Sequence, residues 1–108
     1  DSLVVNTGGE KVFVEEVEEV LRAHPAVADA LVVGRPSERW GEEIVALVAL
    51  RPGADAGHDP LYAHCTSQLA GFKAPKDFIF VDQVRRLGNG KADYRWAKSS
   101  AMQQESLT

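Results

Sequence analysis

The side chains that could do chemistry are unevenly spread along this chain. Residues 73–98 hold 7 basic side chains against 3 acidic ones, whereas residues 1–72 hold 5 basic against 12 acidic, inside a chain of net charge −4. A local cationic stretch in an acidic domain suits an anionic small ligand, and it is also what a solvated basic face looks like. Lys91 lies in this stretch directly after Gly90 and close to Gly88. A second pair of glycines, Gly8-Gly9, marks a turn where positive φ is available at no steric cost. The remaining candidates are weaker. His24, His58 and His64 have no metal-ligand spacing and read as solvated, and the single Cys65 can form neither an internal disulfide nor a thiolate cluster. A pI near 5.3 argues against a general nucleic-acid binder.

Those residues need a scaffold, and periodicity supplies one. The composition of the 108 residues, 44% hydrophobic and 26% charged with 9 Gly and 5 Pro, is that of one compact domain. Leu3–Asn6 and Lys11–Phe13 read as strands of a leading hairpin around the Gly8-Gly9 turn. Val14, Val17, Val20 and Leu21 then recur at helical spacing with glutamates between them, and His24-Pro25 closes the helix. Val27–Val33 and the seven apolar residues Ile44–Leu50 read as strands buried on both faces, joined by a loop over Gly34–Gly41. Asp59 as N-cap and Pro60 behind it open a second helix running to about Gly71, with Leu61, Cys65, Leu69 and Phe72 on its apolar stripe. Phe78–Val81 is a third sheet strand, Arg86–Gly90 a flexible loop, and Tyr94 to about Gln104 a last helix. The expected fold is α+β: a leading β-hairpin and a small sheet of about three strands, with helices packed mostly on one face.

No apolar run approaches the roughly 20 residues needed to span a bilayer, so a cytoplasmic setting is the default expectation. The chain opens at Asp1 without Met and enters an apolar strand at once, which reads as a boundary inside a longer protein.

Four motifs in order lift the reading above fold class. They are Gly8-Gly9-Glu10-Lys11-Val12 with Glu16-Val17-Glu18; His24-Pro25-Ala26-Val27-Ala28-Asp29-Ala30 through Gly34-Arg35-Pro36 to Gly41-Glu42; Leu69-Ala70-Gly71-Phe72-Lys73-Ala74-Pro75-Lys76; and Gly90-Lys91. Together they resemble the C-terminal lid domain of the adenylate-forming superfamily of acyl-CoA synthetases, luciferases and peptide-synthetase adenylation domains. Within that superfamily the opening and closing segments look most like ligases of long-chain or steroid-side-chain acids. The sequence departs from the family pattern at Val14, Ser37 and Arg85, where the family usually has Pro, Asp and Pro.

The resemblance implies a division of labour. The intact enzyme would convert ATP and a carboxylic acid to an acyl-adenylate, after which the lid rotates and the CoA thiol displaces AMP. Lys91 matches the lysine that enters the active site for the first half-reaction. Gly8 and Gly9 match the turn that lines the pantetheine tunnel in the second. Trp40 and Phe72 match an adenine clasp of benzoate-type CoA ligases, with Lys76 near the CoA phosphates. Ala74 stands where a further basic residue is usual, so the phosphate contact is expected to be weaker or shared with Lys73. For Phe72 a place on the helix stripe competes with the clasp. Counting back from the Gly-Gly turn puts the hinge at Ser2, beside Asp1. The large N-terminal domain would carry most of the ATP, acyl and Mg²⁺ contacts, so the 108 residues alone should fold and be inert. The alternatives are a peptide-synthetase lid serving a carrier protein, and a non-catalytic binding module. Which acid is activated is not legible in the lid.

Overall fold

A computed structural model describes residues 3–105. The elements run β1 (Val4–Thr7), β2 (Glu10–Phe13), α1 (Val14–Arg22), β3 (Val27–Ser37), β4 (Gly41–Leu50), α2 (His58–Gln68), a single 3-10 turn (Gly71–Lys73), β5 (Asp77–Phe80) and α3 (Tyr94–Glu105).

The two long strands carry the fold because their apolar run alternates between two cores. Ala30 and Val32 of β3 join Ile44, Ala46 and Val48 of β4 on one face, while Leu31 and Val33 join Val45 and Leu47 on the other. This is the two-residue period of a pleated strand, and both faces are apolar because both are covered. α1 brings Val14, Val17 and Leu21, and α2 brings Leu61 and Cys65, to the first face. α3 covers the second with Ala97 and Ala101. Small residues there let the helix axis approach the sheet closely. Arg35 reinforces the contact, reaching Glu43 at 2.5 Å, Asp77 at 3.3 Å and the Ala101 carbonyl at 3.2 Å.

β4 is the organising strand. One edge pairs with β3 antiparallel along its whole length, in a register that sets Leu31 opposite Leu47 and Ser37 opposite Gly41. The other edge is shared: β5 pairs parallel to Val45–Val48, and β1 meets Gly41 through Thr7. The parallel pairing needs a long crossover, and the segment containing α2 supplies it. β1 is fixed to the sheet by Glu42, whose Oε1 accepts the Asn6 amide proton at 2.9 Å. Glu42 can lie there because residue 34 has no side chain; a Cβ on Gly34 would sit 2.6 Å from Glu42 Oε2.

Three local expectations are corrected. Gly34–Gly41 is not a long loop: β3 extends to Ser37, β4 starts at Gly41, and only Glu38-Arg39-Trp40 lies between them. A three-residue hairpin loop needs a left-handed residue at its close, and Gly41 takes φ 81. α2 is capped by Gly57 rather than Asp59 and ends at Gln68, so Phe72 is off its stripe, on the 3-10 turn, and 41% exposed. The histidines are not all solvated: His24 Nδ1 accepts the Ala26 amide proton at 3.0 Å, and His64 Nε2 donates to the Val20 carbonyl at 2.7 Å. Cys65 is buried, as its stripe position implied. Among the described residues no helix is long and apolar enough to cross a membrane.

Candidate functional site

Two hairpin tips and the 3-10 turn converge on one notch. The β1–β2 turn uses Gly8 and Gly9 at φ 57 and 85, the positive pair that a two-residue hairpin loop demands. The Gly8 amide donates to the Trp40 carbonyl at 2.8 Å, joining the two tips, and the Trp40 amide donates to Ser37 Oγ at 3.2 Å within the second. A Cβ on Gly8 would lie 3.2 Å from Trp40 Cε3, which means the turn rests against the indole ring. Thr7, Gly8, Glu10, Trp40, Phe72 and Lys76 line the resulting notch of about 100 Å³. Gly9 shares the turn but lines nothing there.

Charge gathers around the indole. Arg39 Cζ stands 4.7 Å and Lys76 Nζ 5.2 Å from its centroid. Cations over the ring at this range are attracted by its quadrupole, so the indole carries positive charge beside it. The arrangement suits a flat ring carrying phosphates. Lys73, expected to share the phosphate contact, is engaged elsewhere: its Nζ is 2.9 Å from Glu16 Oε1. The second cation beside Trp40 is Arg39, which sequence reasoning passed over because it reads as one more charge in a polar loop.

Lys91 lies elsewhere, on a turn that is closed rather than flexible. The Gly90 amide donates to the Leu87 carbonyl and the Leu87 amide to the Lys91 carbonyl, both at 2.8 Å, while Asn89 Oδ1 accepts the Lys91 amide proton at 3.0 Å. Arg86 and Ala92 pair at its base. The Lys91 side chain is exposed and has no hydrogen bond or ion pair among the described residues. It sits on a cleft bordered by Glu15, Glu19, Arg22 and Arg86.

Beneath that turn runs a polar network absent from the sequence reading. Arg86 grips Asp29 with two nitrogens, Nε to Oδ2 at 3.1 Å and Nη2 to Oδ1 at 2.9 Å. Asp29 also accepts from Arg22 Nε at 3.1 Å and from the Ala30 amide at 2.9 Å. Arg22 continues to the Ala30 carbonyl at 2.9 Å and to Glu18 at 3.5 Å. Glu18, fully buried, accepts the Val32 amide proton at 2.9 Å and the Tyr94 hydroxyl proton. Burial pushes the Glu18 carboxyl above its ordinary range despite the Tyr94 and Val32 bonds. At half-buried Asp29 the same desolvation is outweighed by the Arg86 and Arg22 hydrogen bonds, which hold it below the usual range. One sequence signal could have exposed Glu18: it stands four residues after Val14 and three before Leu21, a core position on the α1 stripe.

The two regions are far apart. Asp29, under the Lys91 turn, and Ser37, beside Trp40, are eight residues apart on one strand, about 26 Å at the rise of extended chain. The hinge expected at Ser2 lies outside the described residues. Among the described residues no group of three His, Cys, Asp or Glu side chains could hold a metal ion.

A model described as AMP-binding enzyme C-terminal domain matches residues 16–91, and the chain belongs to that family. It is 54% identical over 102 residues to the medium-chain acyl-CoA ligase Mig of Mycobacterium avium, covering 94% of this chain and 18% of that protein. It is also 54% identical over 97 residues to a 3-oxocholest-4-en-26-oate–CoA ligase of Rhodococcus rhodochrous, again 18% of the relative. Among solved structures, a Mycobacterium tuberculosis fatty acyl CoA synthetase superposes with a TM-score of 0.87 at 29% identity, covering 94% of this chain and 20% of that one. The chain thus spans about a fifth of the length of the proteins it matches.

Proposed function

We propose that this chain is the mobile C-terminal lid of an ATP-dependent cytoplasmic acyl-CoA synthetase, which joins a carboxylic acid to CoA through an acyl-adenylate with release of AMP and pyrophosphate. The observation that carries the reading is the placement of two anion-binding features at opposite ends of the β3–β4 hairpin. An unpaired Lys91 ammonium at one end suits the crowded negative charge of a carboxylate meeting an α-phosphate. The Gly8, Trp40, Phe72 and Lys76 notch at the other suits CoA, with the side-chain-free Gly8-Gly9 turn beside the pantetheine and the indole surface beneath the adenine. Asp29 and Ser37, the β3 positions beside the two features, lie about 26 Å apart along the strand, too far for both ends to serve one reaction centre together, so a rotating lid would present them in turn. The large N-terminal domain would supply the acyl pocket, most ATP contacts and the Mg²⁺ that accompanies the nucleotide.

Lys91→Ala in the intact ligase separates this reading from the others. Adenylate formation from ATP and acid should fall at least roughly 100-fold, the scale for losing one preorganised electrostatic donor. Thioester formation from supplied acyl-adenylate and CoA should survive. Equal losses in both single-turnover assays would make Lys91 structural, and no loss in either would remove it from the active site. A carrier protein replacing CoA as the productive acceptor would favour the peptide-synthetase type of lid, against which the Trp40 platform argues.

A further inference from the structure

We infer that Arg86 and Asp29 form a latch that positions Lys91 for adenylation: the turn sets its own shape, and β3 sets where that turn holds the lysine. The inference rests on the function proposed above.

The turn that carries Lys91 is exposed from Arg85 through Lys91, and no apolar side chain of it is buried. The turn closes on its own hydrogen bonds, but it has no buried side chain to fix where it stands against the sheet. What ties it there is Arg86. Its Nε and Nη2 grip both oxygens of Asp29, and its Nη1 donates to the Gly90 carbonyl at 3.3 Å. Gly90 O belongs to the peptide unit that leads into Lys91. One guanidinium therefore ties the backbone immediately before the lysine to a carboxylate on the central hairpin.

Asp29 is a firm anchor because its own oxygens are committed. Oδ1 accepts from Arg22 and from the Ala30 amide as well as from Arg86. Arg22 in turn bonds the Ala30 carbonyl, locking α1 to β3 at that point. The fork geometry matters: a lysine at 86 could place one charge near Asp29 but could not hold two carboxylate oxygens and a carbonyl in one plane. The pairing also neutralises Arg86, while Lys91 has no ion pair among the described residues. Arg86 and Asp29 are thus positioning residues that act through Lys91.

The test is a set of variants of the intact ligase: Arg86→Ala, Arg86→Lys, Asp29→Asn, Lys91→Ala and the Arg86→Ala/Lys91→Ala double variant. The acid is whichever of decanoate, palmitate or 3-oxocholest-4-en-26-oate the wild type activates, and both half-reactions are followed in single turnover. Arg86→Ala and Asp29→Asn should each slow adenylate formation roughly 10- to 100-fold, the scale of a misplacement of about 1 Å at a reacting centre. Thioester formation from the matching acyl-adenylate should stay within about twofold of wild type, and Arg86→Lys should recover only part of the loss. In the Lys91→Ala background, Arg86→Ala should cost nothing more, because a residue acting through Lys91 has no effect once it is gone. Multiplying losses in the double variant would show that Arg86 acts on its own and would overturn the latch. Equal losses in both half-reactions with a lowered melting temperature would overturn it too, as a fold effect. If Lys91→Ala spares adenylation, the lid function itself fails and the latch with it; if Lys91→Ala is selective while Arg86→Ala and Asp29→Asn are silent, only the latch fails.

Discussion

The Tyr94 hydroxyl donates to the Glu18 carboxylate, 2.7 Å from Oε2 and 3.0 Å from Oε1, across 76 residues of sequence. It joins the first turn of α3 to the buried side of α1 and closes the network beneath the Lys91 turn.

Removing that hydroxyl should cost stability in a pH-dependent way. Tyr94→Phe withdraws a hydrogen bond to a charged, buried acceptor and should destabilise the chain by about 1.5–3 kcal/mol at neutral pH. Glu18 has its folded pKa above its unfolded value of 4.5. Folding therefore favours its proton, and its contribution to stability falls as pH rises from the unfolded through the folded pKa. Tyr94 offsets part of that fall, so the Tyr94→Phe penalty should grow as pH rises above 4.5. Urea melts of both proteins across the range check it; a penalty independent of pH would mean that the hydroxyl is not coupled to the carboxylate.

The Trp40 platform should matter for CoA and not for the adenylate. In the intact ligase Trp40→Ala should raise the apparent KM for CoA by the equivalent of about 1–3 kcal/mol, as for base–aromatic stacking elsewhere. Adenylate formation should be nearly unchanged. Unaltered CoA kinetics would reduce Trp40 to a packing residue between the two hairpin tips.

Gly8 and Gly9 should respond differently to the same change. Both have positive φ, so alanine at either costs backbone strain of about 1–2 kcal/mol. Only at Gly8 would the new methyl meet Trp40, at 3.2 Å, whereas nothing lies within 4 Å of a Cβ on Gly9. Gly8→Ala should therefore shift the Trp40 indole resonance and raise the CoA KM, while Gly9→Ala should leave the resonance in place. An identical spectrum for both variants would contradict the contact.

Cys65 should be chemically silent while the domain is folded. Burial pushes its thiol up to about 11, so almost no thiolate exists at pH 8. Alkylation by iodoacetamide at that pH should be far slower than in urea, and equal rates would show that the α2 face of the core opens readily. Because the unfolded thiol ionises first, stability should also fall as pH rises from about 9 toward 11.

Much of this protein is legible in its residues alone. The apolar runs of β3 and β4 can be satisfied only by a strand covered on both faces, and the Val14, Val17 and Leu21 spacing only by a helix. Gly8-Gly9 announces a turn in any context, since few other residues tolerate two positive φ values in succession. The four motifs that resemble adenylate-forming lids are contiguous segments, so their order survives without coordinates. Family membership follows from them.

What the tertiary structure decided is which distant side chains meet. Trp40 and Lys76, or Arg86 and Asp29, are separated by long stretches of chain, and no local rule brings them together; strand register and the turn of each hairpin do. Phe72 left the α2 stripe because that helix stops at Gln68, which releases the ring to the notch. Lys73 went to Glu16 and Arg39 to Trp40, a choice between equivalent charges that composition cannot make. Glu18 was hidden among exposed glutamates, yet it is the buried one because its place on α1 faces β3 and Tyr94 arrives to satisfy it. Periodicity says which way a residue points; only packing says what it finds there.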